Sequence, residues 1–137
     1  MLDFSGINYW AVIVSWIIYM AVGAFWYSTA GFAKQWTKHT GINILKIPQR
    51  QATRILLAIM VSALIQSFTL ALILHSLHVT NVLDGLYIGL LLWFGLTAAT
   101  TVGVTLYSKR TWKFLWLNSS YFLIVMSIAS IIFTIWK

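Results

Sequence analysis

The sequence predicts an all-α integral membrane bundle of four transmembrane helices with a short cytoplasmic interfacial helix. Three observations predict it. Hydrophobic residues make up 61% of the 137-residue chain and charged residues only 8%, against roughly 25% charged residues in soluble domains. Four apolar stretches have the roughly 20 residues that cross a bilayer. Basic residues fall in alternate gaps between those stretches. We therefore expect one membrane domain, residues 1–137.

The four predicted spans are residues 7–28, 52–74, 85–107 and 114–136. Basic residues cluster around the first and third gaps: Lys34, Lys38, Lys46, Arg50 and Arg54, then Lys109, Arg110 and Lys113. The two acids, Asp3 and Asp84, fall before the first span and in the second gap. Because cytoplasmic loops are enriched in Lys and Arg, we expect a multi-pass protein of the plasma membrane, with its N-terminus and C-terminus outside.

Polar residues form a stripe on the first span. At 100° per residue, its members lie within about 40° of one another: Asn8, Ser15, Tyr19 and Trp26. We expect this stripe to face another helix rather than lipid.

Residues 31–40 have an amphipathic pattern. Phe32 and Trp36 share one face, with Lys34 and Lys38 on the other. This pattern predicts a short helix lying flat in the inner leaflet.

The second and third spans carry the most polar membrane positions. Gln66 is the most polar side chain near mid-membrane, on a stripe with Ser62 and Thr69. The third span has a small-residue strip at four-residue spacing, with threonines on its opposing side and Trp93 alongside: Gly95, Ala99 and Gly103 against Thr97, Thr101 and Thr105. Small residues let helices approach closely. We expect this helix to lie between two partners, and the chain to form a homo-oligomer.

The fourth span follows a tight basic turn and carries Asn118 and Tyr121. Basic and aromatic residues at the inner ends of the spans are expected to contact anionic lipid headgroups: Lys34, Trp36, Lys109, Arg110, Trp112 and Lys113. The net charge of +7 therefore indicates membrane lipids as partners, with no nucleic acid.

Three stretches resemble a bacterial family of small four-span membrane proteins classed as a domain of unknown function. They are residues 8–12 with 23–28 and 34–36, residues 89–95 with 98–101, and Trp112-Lys113 with Asn118 and Tyr121. The family often has a His after the tyrosine that matches Tyr121, whereas this chain has Phe122. The resemblance implies the fold and the topology and carries no assigned activity.

The polar membrane residues have two interpretations, a ligand path or hydrogen-bonded contacts between helices. The set is Asn8, Ser15, Tyr19, Trp26, Gln66, Trp93, Thr97, Thr101, Asn118 and Tyr121. Replacing Gln66 and Thr101 with Leu separates the two, since a path variant folds and loses transport. The absence of an ionisable group near mid-membrane argues against a proton-driven pump.

Enzymatic sites have little support in this sequence. His75, His78 and Asp84 would supply three ligands for zinc, but such residues are ordinary in a solvated loop, and we expect no metal and no cofactor. The chain has no Cys, no paired acids and no glycine-rich phosphate loop. We expect no enzymatic activity.

Three functions follow from these patterns. The first is a non-enzymatic, oligomeric pore, transporter or binder for a small neutral or lipid-like ligand. The second is a structural or accessory subunit of a larger membrane complex. The third and weakest is a lipid-modifying membrane enzyme that holds a headgroup with the inner basic and aromatic residues.

Overall fold

The computed structural model describes residues 2–136 and is helical throughout its regular structure. Four helices are long and apolar enough to cross a membrane: Tyr9–Trp26, Gln49–Ser76, Val82–Tyr107 and Trp112–Ile135. No strand occurs in residues 2–136. The all-α fold class with four membrane spans is therefore confirmed, and the protein is a multi-pass membrane protein.

The first span is α1, Tyr9–Trp26, and Asn8 is the residue that caps its N-terminus. The Asn8 side chain accepts hydrogen bonds from the backbone N–H groups of Trp10 and Ala11 at 3.0 and 3.1 Å. These bonds satisfy donors that have no partner inside the first helical turn. Asn8 also donates its side-chain amide to the Trp136 carbonyl at 3.5 Å, which joins the first and last spans at one end of the bundle. We call this the outer end and the opposite one the inner end, after the orientation that the charge pattern predicts.

The short amphipathic helix is α2, Ala33–Thr40, within the predicted 31–40. It ends at Gly41, whose φ of +74° is the left-handed conformation that glycine adopts without strain. Arg110 donates to the His39 carbonyl at 2.6 Å and fastens the C-terminal end of α2 to the last inner loop. The helix is therefore attached to the bundle. A 3₁₀ turn, Ile44–Lys46, follows it.

The second span, α3, runs over Gln49–Ser76, several residues longer than predicted. At 1.5 Å per residue its 28 residues measure roughly 42 Å, against a hydrocarbon core of about 30 Å. Arg50 and Arg54 lie exposed at its inner end. The helix is therefore long enough for its first turns, which carry these two cations, to extend beyond an apolar core of that thickness.

The third span consists of α4, Val82–Leu92, a π-helical turn, Trp93–Ala98, and α5, Ala99–Tyr107. One face of this span is formed by residues spaced four apart, all of which are buried or half-buried: Gly85, Gly89, Trp93, Thr97, Thr101 and Thr105. In an ideal α-helix that series drifts by roughly 200° over its length. A π turn has more residues per turn than an α-helix, so it reverses part of this drift. The face therefore stays against α6 along the whole span.

The last span, α6, Trp112–Ile135, lies at the centre of the bundle. It packs against α1, α3 and the whole third span, and α1 packs in addition on α3. The third span meets α3 only slightly, through α4. Within this chain α6 provides nearly all of the contacts of the third span, so a second partner for that span remains a prediction about another chain.

Candidate functional site

The buried stripe of α1 meets α6 along a line of hydroxyl and amide groups that we call the polar seam: Ser15, Tyr19, Tyr27, Asn118 and Tyr121. Ser15 and Tyr19 are at most 1% exposed. The Tyr121 hydroxyl donates to the Tyr19 carbonyl at 2.9 Å. On the α3 side, Ser67 donates to the Val12 carbonyl at 3.0 Å. The structure thus brings together polar residues that the sequence placed on two separate spans.

The inner end of the polar seam is closed by aromatic rings. Tyr27 donates to the Asn118 side-chain oxygen at 3.0 Å, and Trp26 donates its indole N–H to the Leu117 carbonyl at 3.2 Å. The Tyr27 ring lies 5.9 Å from that of Tyr121 and 6.3 Å, edge-on, from that of Trp36. Trp36 is half-buried, so α2 contributes to this closure.

Two hydroxyls of the polar seam have no hydrogen-bond partner among residues 2–136: those of Ser15 and Tyr19. Ser119 and Ser130, where α6 meets the third span, share this property. Buried polar groups are nearly always paired in native proteins. The polar seam therefore retains two unused groups that are chemically able to accept or donate a hydrogen bond.

Above the polar seam, at the outer ends of α1, α3 and α6, lies a cavity of about 220 Å³ that we call the outer cavity. Its floor includes Ala71 and Leu74, one and two helical turns beyond Ser67. No Lys, Arg, Asp or Glu is among the residues that line it. Its polar lining comes from neutral or weakly basic side chains: Asn8, His75, His78 and Thr80.

The N-terminal segment builds one wall of the outer cavity by folding back over α3. The Asp3 backbone N–H donates to the Ser76 hydroxyl at 2.8 Å, and the His75 ring lies 2.7 Å from the Ser5 carbonyl. The Asp3 carboxylate lies 3.6 Å from His75. Hydrogen bonds from the Ser5 hydroxyl and backbone N–H, helped by the nearby histidines, hold the pKa of Asp3 below its ordinary value.

The polar residues of the third span use their groups locally. Trp93 donates to the Ser119 carbonyl at 2.8 Å, and Thr97 lies 3.9 Å from the Met126 sulfur. Thr101 donates within its own helix, to the Thr97 and Ala98 carbonyls. These three residues contact α6 or their own helix and do not reach the polar seam.

Gln66 lies apart from all of these residues. It is exposed on the outside of α3, as are Ser62 and Thr69. Its side chain has no hydrogen bond to any residue in the described part of the chain, because the inward face of α3 is formed by Ala63, Ser67 and Leu70. The structure therefore does not join Gln66 to the polar seam.

Most of the basic residues at the inner end are exposed, as headgroup contact requires. Lys34, Lys109, Lys113 and Trp112 are exposed, whereas Trp36 is half-buried. Arg110 differs, because its guanidinium binds the His39 carbonyl and lies 5.9 Å from the Phe114 ring.

The candidate metal ligands of this chain are its His and Asp side chains. Over residues 2–136, no group of three or more His, Cys, Asp or Glu side chains is arranged to hold a metal ion. His75 is instead occupied by Asp3 and Ser5.

Sequence reasoning missed the outer cavity. Its wall requires the segment before the first span to fold back, and no periodic pattern reports such a contact. One signal was present, since His75 and His78 follow the second span and Asp3 precedes the first, which places all three near the outer surface.

Three apolar spans around a central fourth span define a small polytopic α-helical membrane protein. Residues 10–134 match the model of a family of proteins of unknown function, DUF1761. The chain belongs to that family. No curated protein and no solved structure matches it.

Proposed function

We propose that this protein is a non-enzymatic, homo-oligomeric protein of the plasma membrane that binds a small neutral or lipid-like ligand in the outer cavity and passes it along the polar seam. One observation carries the proposal. A cavity lined by no Lys, Arg, Asp or Glu lies directly above a buried line of hydroxyls, two of which are unpaired.

The size and lining of the outer cavity support a small uncharged ligand. Its volume of about 220 Å³ is below the roughly 300–1,000 Å³ of drug-sized sites. A full charge entering this space gains no opposite full charge from Lys, Arg, Asp or Glu and loses its hydration. Leu74, Val79, Phe133 and Trp136 offer apolar contact beside the polar groups. A compact solute with a few hydroxyl or amide groups suits this lining.

The polar seam is closed, which supports a gated path rather than an open pore. Ser15 and Tyr19 are at most 1% exposed, and neither lines the outer cavity. A passing ligand must therefore part α1 from α3 or α6. The unpaired Ser15 and Tyr19 hydroxyls would then hydrogen-bond to it.

Charge placement supports an orientation with both termini outside. The two basic clusters lie at the same ends of the spans as α2, and the outer cavity lies at the ends that carry Asp3 and Asp84. Lys and Arg are retained on the cytoplasmic side. In this orientation Lys34, Lys109 and Lys113 contact anionic headgroups, each interaction contributing about 1 kcal/mol near the surface.

Solute flux into proteoliposomes tests the ligand proposal. We expect purified protein to raise the entry of urea or glycerol, followed by stopped-flow light scattering, above that of empty liposomes. Thr80→Trp places a large ring at the cavity and should return the rate towards background. Leu83→Trp is the matched control, because Leu83 is exposed near the same end and does not line the cavity.

Two outcomes oppose the ligand proposal, and a third opposes the orientation. If a panel of small neutral solutes enters no faster than into empty liposomes, passage is excluded. If Thr80→Trp and Leu83→Trp behave alike, any flux does not use the outer cavity. Termini accessible to a membrane-impermeant label only after lysis of intact cells would contradict the proposed orientation.

A second function, an accessory subunit of a larger membrane complex, is favoured by the third span. The strip formed by Gly95, Ala99 and Gly103 faces away from α6, and a side chain at Gly95 or Gly103 would meet nothing within 4 Å. This surface is free to accept a helix of another protein. Copurification of one partner in fixed stoichiometry, lost in Gly103→Leu, would support that function.

A further inference from the structure

The exposed polar surface of α3 is the least expected feature of the bundle. We call it the Gln66 face, formed by Ser62, Gln66 and Thr69. Ala63 and Ser67, adjacent in sequence, point into the bundle and are buried. The Gln66 face therefore lies on the lipid side of a helix whose other side is packed.

Gln66 is too deep to reach water. It lies nine residues before His75 and twelve after Arg54, which places it roughly 13 Å and 18 Å along the helix axis from these polar ends, at 1.5 Å per residue. A glutamine side chain is much shorter than either distance. Hydrocarbon offers its amide no hydrogen-bond partner, so direct exposure to lipid is unfavourable.

We propose that a second copy of this chain covers the Gln66 face, with the two Gln66 amides hydrogen-bonded to each other across a two-fold axis. A primary amide carries both a donor and an acceptor, so its partial charges complement those of an identical amide turned by 180°. The inference deepens the homo-oligomer part of the proposed function and rests on it.

The shared orientation of all copies in the membrane allows Gln66 of one copy to meet Gln66 of another. Copies inserted with one orientation are related by axes along the membrane normal, so equivalent residues lie at the same depth. A two-fold interface pairs each surface with itself. Gln66 of one copy thus meets Gln66 of the other, while the small side chains of Ser62 and Thr69 let the two helices approach. Arg50 and Arg54 lie exposed at the inner end of α3, where water and salt screen their repulsion.

The glycine strip of the third span is the competing surface for a second copy. No residue of this strip, formed by Gly95, Ala99 and Gly103, has a polar side chain. Exposing the strip to lipid therefore leaves no side-chain hydrogen-bonding group without a partner. Gln66 does have such a group, and covering it removes an unfavourable exposure as well as adding contacts. The Gln66 face is therefore the surface that gains more from a partner.

Cysteine cross-linking tests the geometry directly, because the chain has no native Cys. Ser62→Cys and Thr69→Cys should form disulfide-linked dimers in membranes treated with copper phenanthroline. Leu64→Cys is the matched control, since Leu64 is exposed at the same depth on a different side of α3. Gly103→Cys reports on the competing strip.

The strength of the contact is measured by energy transfer between labelled copies in liposomes at increasing dilution in lipid. We expect Gln66→Leu to weaken association on the order of tenfold. Gln66→Asn keeps the amide and should retain part of the affinity. Neither change should unfold the bundle, because Gln66 faces outward, and circular dichroism checks that the helical content is unchanged.

Each result decides the inference. Strong cross-links at Ser62→Cys and Thr69→Cys, weak ones at Leu64→Cys, and weakened association in Gln66→Leu support it. Cross-links at Gly103→Cys alone overturn it and leave a homo-oligomer through the third span. Equal cross-linking at all positions overturns it as random collision. A monomer at every lipid ratio overturns both the interface and the homo-oligomer.

Discussion

The two sides of α6 are held in different ways. Towards α1, large aromatic residues fill the contact and hydrogen-bond to backbone carbonyls, as Tyr121 does to Tyr19 and Trp26 to Leu117. Towards α4, small residues meet, with Gly85 against Thr134 and Gly89 against Ser130. The first contact uses directional bonds, and the second uses close backbone approach. We therefore expect the aromatic side to tolerate the loss of single groups and the glycine side to reject added ones.

The largest effect is expected at Gly89. A Cβ there would overlap the Ser130 side chain, so Gly89→Val forces the third span away from α6. Overpacking of this kind costs about 1–3 kcal/mol. Unfolding in mixed micelles, followed by steric trapping, measures the change in free energy. Gly103→Val is the control, with open space at its Cβ and an expected cost below about 0.5 kcal/mol. Equal losses in both variants would contradict this comparison.

A smaller effect is expected from Tyr121→Phe. The substitution removes the hydroxyl that donates to the Tyr19 carbonyl and keeps the ring contacts with Tyr27 and Phe122. Hydrogen bonds between membrane helices average about 0.6 kcal/mol and reach about 1.7. The same unfolding measurement applies. Tyr107→Phe, at an exposed position, should have no effect; a larger loss there than at Tyr121 would be inconsistent with the assigned bond.

Tyr19→Phe should leave stability nearly unchanged. The Tyr19 hydroxyl is buried without a partner in the described chain, so its removal relieves an unfavourable burial and breaks no bond. We expect a change within about 0.5 kcal/mol of zero. Under the proposed function, solute entry should nevertheless slow several-fold, because the path loses a polar group. Unchanged flux with unchanged stability would remove Tyr19 from the path.

The smallest effect is expected at the outer end, where Asp3 secures the N-terminal segment. The folded pKa of Asp3 is lowered by its bonds to Ser5 and by the nearby His75 and His78. Its stabilising contribution is therefore complete above the ordinary aspartate pKa and disappears as the pH falls through the lowered folded value. A spin label at Leu2→Cys should become more mobile in that acidic range. In Asp3→Asn the label should be mobile at all pH values. In Asp84→Asn the mobility of the label should change with pH as it does in the otherwise unmodified chain.

The spans and the fold class were predictable because they depend on length and charge, which an isolated segment displays. The extra length of α3 was not, since Pro48 and the polar first turn do not resemble a membrane segment. The central position of α6 was also hidden, because hydropathy reports that a helix is apolar and not which neighbours it meets.

The orientation of each polar stripe was predictable only in part. A helix pattern gives the angles between residues, and it correctly grouped Ser15 with Tyr19 on one face. It does not say which face meets protein. The sequence therefore predicts the same role for Gln66 as for Ser15 and Tyr19, although Gln66 is exposed. On the third span, the π turn changes the angles after Trp93. Hydrogen bonding shifted by one residue leaves no mark in composition. The sequence therefore locates the strip of small residues but gives neither the π turn nor the outward direction of that strip.

The central helix is also the fourth of the four spans in chain order. During translation, α1 and α3 leave the translocon early and can pair at once. The third span then has almost nothing to hold it until α6 is synthesised. A chain that ends before Trp112 therefore leaves the third span without its main packing surface.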